Sequence, residues 1–185
     1  MASAIEVDGL DRLSDQLKGI SKADYRKMVA QLTMKIQANA KLLAPVSSVV
    51  SGAGELRDSI RVRTEERDGE YIGTCYTNKS YATYVEMGTG PKGMADHGET
   101  APGFDVAYTP DPWWIHEGPG ENEVSRETGE GYHWFHIDTK AGRFYKVYGQ
   151  AAQPFMYPAY KAVEGQAPAF VSAYMSAIFQ QVGIK

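Results

Sequence analysis

YATYVEMGTGP, residues 81–91, is the stretch around which the rest of the chain is arranged. Tyr81 and Tyr84 stand three apart, the spacing of one helical face, and Val85 and Met87 add apolar surface. Gly88, Thr89, Gly90 and Pro91 then end any regular element, because the glycines accept positive φ and proline cannot continue a helix. The stretch predicts a short aromatic turn of helix running into a fixed bend, with one acid, Glu86, just before it. Tyr81, Tyr84 and the distant Phe155 are candidates for a buried aromatic cluster. Upstream the chain is compact and periodic; downstream, to about Gly149, it is glycine-rich.

Immediately upstream, Leu56 to Arg63 reads as a half-buried strand, since Ile60 and Val62 alternate with Arg61 and Arg63. Asp68-Gly69 is a strong hairpin turn signal, with Tyr71 to Tyr76 as the returning strand. Residues 47–54 are small and mostly polar and read as an exposed loop. A long helix precedes it: Tyr25, Met28, Val29, Leu32, Ile36, Ala40 and Leu43 share a face, and Pro45 closes it. Ser21 to Asp24 resembles a capping box with Asp in place of Glu. Before that, Leu10, Leu13, Leu17 and Ile20 form an amphipathic stripe with Gly19 near its end. Asp8 is placed to cap it, and Ile5 and Val7 suit a short strand.

Downstream, residues 91–131 are dense in glycine, proline and acid, a composition common in functional or unstructured loops. Yet Trp113-Trp114-Ile115 and Tyr132-His133-Trp134-Phe135 are too apolar for a solvated linker. They read as two strands flanking the loop 117–131, forming either a partner surface or part of the chain's own core. Phe144 to Tyr148 is a further strand. A helix begins near Phe155, with Pro158 in its first turn. Gly165 and Pro168 break it, and a last helix carries Phe170, Val171, Tyr174, Ile178 and Phe179. The fold class is α+β, one domain over 1–185. A small, mainly antiparallel sheet packs against the long N-terminal helix and the C-terminal helices, with 91–148 as an inserted loop or arm.

The 185 residues are 43% hydrophobic and 23% charged, ordinary for a soluble globular chain. A formal net charge of −4 without a basic block argues against nucleic-acid binding as a main function. The single cysteine, Cys75, forms no intrachain disulfide and suits a reducing cytosol; it reads as a small buried hydrophobe. Neither a signal peptide nor a membrane span is expected.

The search for chemistry yields little. His116-Glu117 opens like a zinc-protease helix, but Gly118, Pro119 and Gly120 follow, with no second histidine four residues on. His133 and His136, on a strand, would point to opposite faces. A metal-dependent hydrolase would have to bring His116, His133 and His136 together through the fold. Gly88 to Lys92 lacks the Lys-Ser/Thr and the helix start of a phosphate loop. No catalytic, cofactor-binding or metal-binding residue is assigned. A monomeric ligand-binding module built on the tryptophan-rich segment is the other alternative.

YATYVEMGTG resembles the signature of the gene-product-ten-like family of tailed bacteriophages. Two further stretches match the family's pattern in the right order. They are Ala44-Pro45-Val46 followed by Gly54-Glu55-Leu56-Arg57-Asp58-Ser59-Ile60, and Gln153-Pro154-Phe155-Met156-Tyr157-Pro158-Ala159. The opening Val7 to Asp11 is similar to the family's entry into its first helix. The spacer after Val46 is longer than the family's, and nothing between Gly90 and Gln153 aligns firmly. The resemblance implies a non-enzymatic structural virion protein of the neck or tail top, without cofactors. It would complete the tail and join it to the head within a ring of copies. The implied partners are a terminator, a head-side connector or the tail tube, near the DNA channel but with no sequence-specific nucleic acid and no membrane. The implied location is the host cytoplasm during assembly and then the virion. The matched stretches themselves read as fold architecture.

Overall fold

The computed structural model describes residues 10–21, 23–47, 54–97, 105–120 and 123–184. The expected strand at Ile5 and Val7, the Asp8 cap and most of the 47–54 loop lie outside these residues. The fold is α+β: a long N-terminal helix, small antiparallel sheets and two C-terminal helices.

Helix α1 (Leu10–Ser21) runs through Gly19 rather than bending there; a Cβ at Gly19 would strike the side chain of Val182, so the helix lies close to the end of the chain. Helix α2 (Tyr25–Leu43) starts at Asp24, whose carboxylate accepts the N–H of Lys27. The expected capping box is thus shifted: Asp24 is itself the N-cap, not the third helical residue. Helix α3 (Glu55–Ser59) replaces the first half of the expected strand, which begins only at β1 (Arg61–Arg67). β1 turns at Asp68 and Gly69, both with positive φ, into β2 (Glu70–Tyr76), in the register expected of an Asp-Gly hairpin.

The hairpin lays one face on α2. On that face Gly73 has no side chain because Thr33 and Val29 of the helix occupy the space where one would go. Thr33, buried there, satisfies its own hydroxyl by donating to the carbonyl of Val29 at 2.8 Å.

Helix α4 (Ala82–Met87) is the expected aromatic turn, but Pro91 does not end regular structure. It sits in the first turn of a second short helix, α5 (Gly90–Ala95), where a missing N–H costs nothing. The remainder of the region expected as an arm carries β3 (Trp113–His116), α6 (Arg126–Gly131), β4 (His136–Thr139) and β5 (Gly142–Val147). Tyr132 to Phe135 is not a strand; the chain turns after α6 and pairs only from His136. Among the described residues there are two sheets instead of one: the β1–β2 hairpin, and a three-stranded antiparallel sheet in the order β3-β5-β4. Helix α7 (Met156–Glu164) packs on α2. Helix α8 (Ala167–Gln181) has Pro168 in its first turn and lies against α2 and α7.

The central core consists of Ala40, Ala44, Leu56, Ile60, Ala82, Phe155 and Ala159. Apart from Ala40, every one of these stands in one of the stretches quoted above for the family resemblance. Small alanines at the helix crossings let α2, α4 and α7 approach Phe155, which is 1% exposed. Arg57 ties the two halves of one of these stretches directly, donating to the carbonyl of Ala44 at 3.2 Å. No helix among the described residues is long and apolar enough to cross a membrane.

Candidate functional site

Glu86 holds the molecule's most consequential polar contact. It is 8% exposed, and its carboxylate accepts the backbone N–H groups of Phe155, Met156 and Tyr157 at 2.8, 2.9 and 2.9 Å. Those are three of the four donors that a helix N-terminus leaves without intrahelical partners. The fourth position is Pro158, which has no N–H. The entrance of α7 is therefore fully satisfied, although its N-cap, Phe155, has no polar side chain to do the work. A negative charge at this end also complements the helix dipole.

The reverse face of the same connection closes α4. Gln150 donates its side-chain amide to the carbonyl of Tyr84 at 2.9 Å, the N–H of Gln153 donates to Val85 at 2.8 Å, and the Tyr108 hydroxyl donates to Met87 at 2.7 Å. Thr89 and Gln150 exchange backbone hydrogen bonds of 2.9 and 3.1 Å. Gly88 has φ 76° and ψ 174°, a combination open in practice only to glycine, and a Cβ there would lie 2.8 Å from the N of Ala152. The bend is thus a welded junction between two distant parts of the chain. Of the expected aromatic cluster only Phe155 is buried; Tyr81 and Tyr84 are 40% and 60% exposed.

Beside this junction lies a groove of about 630 Å³, lined by Tyr84 and Met87 on one side and by Val106, Tyr108 and Trp113 on the other. The second surface of note is one face of the three-stranded sheet. Trp114, Lys146 and Phe135 form a row across it, and His116, Phe144 and Ile137 the next. Trp114 and Phe135 meet edge to face with centroids 6.1 Å apart, and the Lys146 ammonium lies over the rings of Trp114 and Tyr148. Trp114, Phe135, Ile137 and Tyr148 are all exposed. The tryptophans therefore divide: Trp114 faces outward, while Trp113 and Trp134 are half-buried.

The opposite face of that sheet carries Tyr145 beside a set of paired charges. Tyr145 is fully buried, and its hydroxyl donates to Glu117 at 3.0 Å. Arg126 grips the same carboxylate with three hydrogen bonds of 2.9–3.2 Å, which holds Glu117 below the ordinary carboxylate range. Arg143 reaches Asp138 at 2.8 Å and Glu130 at 3.2 Å.

The three histidines of the hydrolase alternative have separate duties. His116 places Nδ1 2.7 Å from Glu123 and Nε2 3.0 Å from the carbonyl of Ala141. Both neighbours are acceptors, an arrangement that favours the doubly protonated ring; Glu123 first, then Ala141, raises its pKa. A ring in that state offers no lone pair to a metal. His133 lies in the turn after α6 with φ 54°, not on a strand, and His136 opens β4 against Tyr145. Among the described residues no group of three or more His, Cys, Asp or Glu is arranged to hold a metal ion. Cys75 is half-buried on β2, and burial pushes its thiol pKa up.

Glu86 escaped the sequence reading as a functional position because its partners lie some seventy residues away. The signal that could have found it is a helix start at Phe155 with no Ser, Thr, Asp or Asn to cap it.

Residues 8–88 match the family model described as "Bacteriophage HK97-gp10, putative tail-component". No curated protein and no solved structure matches the chain. The match ends at the bend, and it takes in α2, the β1–β2 hairpin and α4 with Glu86. Over residues 8–88 the chain is similar to the HK97-gp10-like family of bacteriophage putative tail components.

Proposed function

We propose that the protein completes the phage tail and joins it to the head, as one of several copies in a ring-shaped neck or tail-top assembly. The family match over residues 8–88 carries this reading. Its role there is structural, with no catalytic turnover: the polar clusters are spent on capping α7 and on bracing the three-stranded sheet. The partners are other tail and neck proteins. A closed ring joins one patch of a subunit to a different patch of the next. The exposed row of Trp114, Phe135 and Ile137 is a suitable patch, since aromatic surface open to water marks interaction faces. A net charge of −4 suits a protein beside a channel through which DNA must pass without sticking.

Deletion of the gene from its phage tests the reading. The expected result is DNA-filled heads and assembled tails that fail to join into infectious particles, with host metabolism unchanged. Normal infectious particles would overturn it.

A further inference from the structure

We propose that the groove beside the Gly88–Gly90 bend docks a basic side chain, lysine or arginine, presented on an extended segment of a partner protein. This goes beyond the tail reading and does not depend on it. The groove's volume, about 630 Å³, lies within the range of sites that bury a ligand of several side chains. Its lining is mostly aromatic and aliphatic: Tyr84, Tyr108, Trp113, Met87 and Val106. Among the described residues of that lining the one charged side chain is Asp105. Asp105 is exposed and makes no ion pair among the described residues.

This pairing of parts selects the occupant. Aromatic side chains attract a cation, and a carboxylate at the same groove adds to the attraction. The apolar walls accept the methylene stem of lysine or arginine, whose charged end then reaches Asp105. An anionic segment would meet Asp105 with no compensating cation in the lining.

The walls are fixed before anything binds. Trp113 pairs with Val147 in the sheet, and its ring lies against Gly90, where a Cβ would come within 2.7 Å of it. Tyr108 is held by its hydrogen bond to Met87 and stacks on His97 with centroids 6.4 Å apart. A site whose side chains are already ordered loses less entropy on binding.

The test is a titration of the full-length protein, followed through the indole N–H resonance of Trp113. The probes are two capped pentapeptides at low salt, Gly-Leu-Arg-Leu-Gly and the same peptide with glutamate at its centre. The arginine peptide is expected to shift the resonance saturably and the glutamate peptide to leave it in place. Asp105→Asn is expected to weaken arginine-peptide binding by roughly 5-fold, the size of one desolvated charge or cation–π contact. Asp111→Asn, an exposed acid outside the groove lining, should leave it unchanged. Equal shifts with both peptides would overturn the proposal, as would undiminished binding by Asp105→Asn. A Trp113 shift that follows protein concentration without peptide would assign the groove to a second copy and overturn it too.

Discussion

At the scale of single residues, the molecule depends on an acid and a glycine two positions apart, Glu86 and Gly88. Glu86 replaces the cap that Phe155 cannot provide, and it does so from a buried position where its charge is used by three donors. Removing it leaves those N–H groups buried and unpaired. Glu86→Ala is therefore expected to cost about 3 kcal/mol, and Glu86→Gln somewhat less because one acceptor oxygen remains. In a chain of this size that is a fall of roughly 10 °C in Tm, measurable by circular dichroism. Substitution of Glu70, exposed at the hairpin turn, should move Tm by less than about 1 °C. If the Glu86 variants melt with the wild type, the cap does not hold α7. Gly88→Val is expected to cost at least about 1–3 kcal/mol from backbone strain alone. The Cβ contact of 2.8 Å with Ala152 adds to this, because the atom it meets is backbone and has little room to yield.

At the scale of elements, legibility in the sequence tracked the range of the interactions. Helix α2 and the β1–β2 hairpin were legible because a 3.6-residue stripe and an Asp-Gly turn are local signals. Helix α3 was not, because five residues are too few to show a period and the alternation of Ile60 and Val62 ran over it. Tyr132 to Phe135 looked like a strand through its aromatic content; instead Tyr132 stacks on Trp134 in the turn after α6, and Phe135 meets Trp114 edge to face. The division into two sheets, and the Glu86 cap, depend on contacts far apart in the chain and had no local signature. The three-stranded sheet also carries a pH dependence with a definite sign. The His116 pKa is raised above its ordinary 6.5, so its contribution to stability is full below that value. It is lost as pH rises through the higher folded pKa. The Glu123 pKa is lowered from 4.5, first by His116, so its contribution is present above that value and lost as pH falls through the lower folded pKa. The pair therefore links residues 116 and 123 most strongly between the two ordinary values. Protection of β3 and β5 amides, corrected for intrinsic exchange rates, should be greatest between the two ordinary values and fall as pH rises through the folded His116 pKa, and His116→Gln should flatten that profile. An unchanged profile in the variant would remove His116 from this role.

At the scale of the whole molecule, the boundary of the family match and the boundary of the folding unit do not coincide. The match stops at residue 88, yet the core that α2, α3 and α4 build is completed by Phe155 and Ala159. Phe155 is among the largest fully buried side chains, and α7 is a principal packing partner of α2. Without α7, Glu86 becomes a carboxylate facing an apolar cavity, and the carbonyls of Tyr84 and Val85 lose Gln150 and Gln153. A fragment of residues 1–97 is accordingly expected not to fold, despite containing the whole matched range. Its far-ultraviolet circular dichroism should show little helix, and its amides should exchange without protection. Adding a peptide of residues 150–184 in trans should restore helix and protection together, because that segment supplies the Phe155 side chain and the three N–H donors in one piece. The same peptide carrying Phe155→Ala should fail. The omitted β3, α6, β4 and β5 make few contacts with α2, so complementation without them is a direct measure of how far the core closes on its own. A fragment of 1–97 that folds cooperatively alone would show that the junction at Glu86 decorates a finished core instead of completing one.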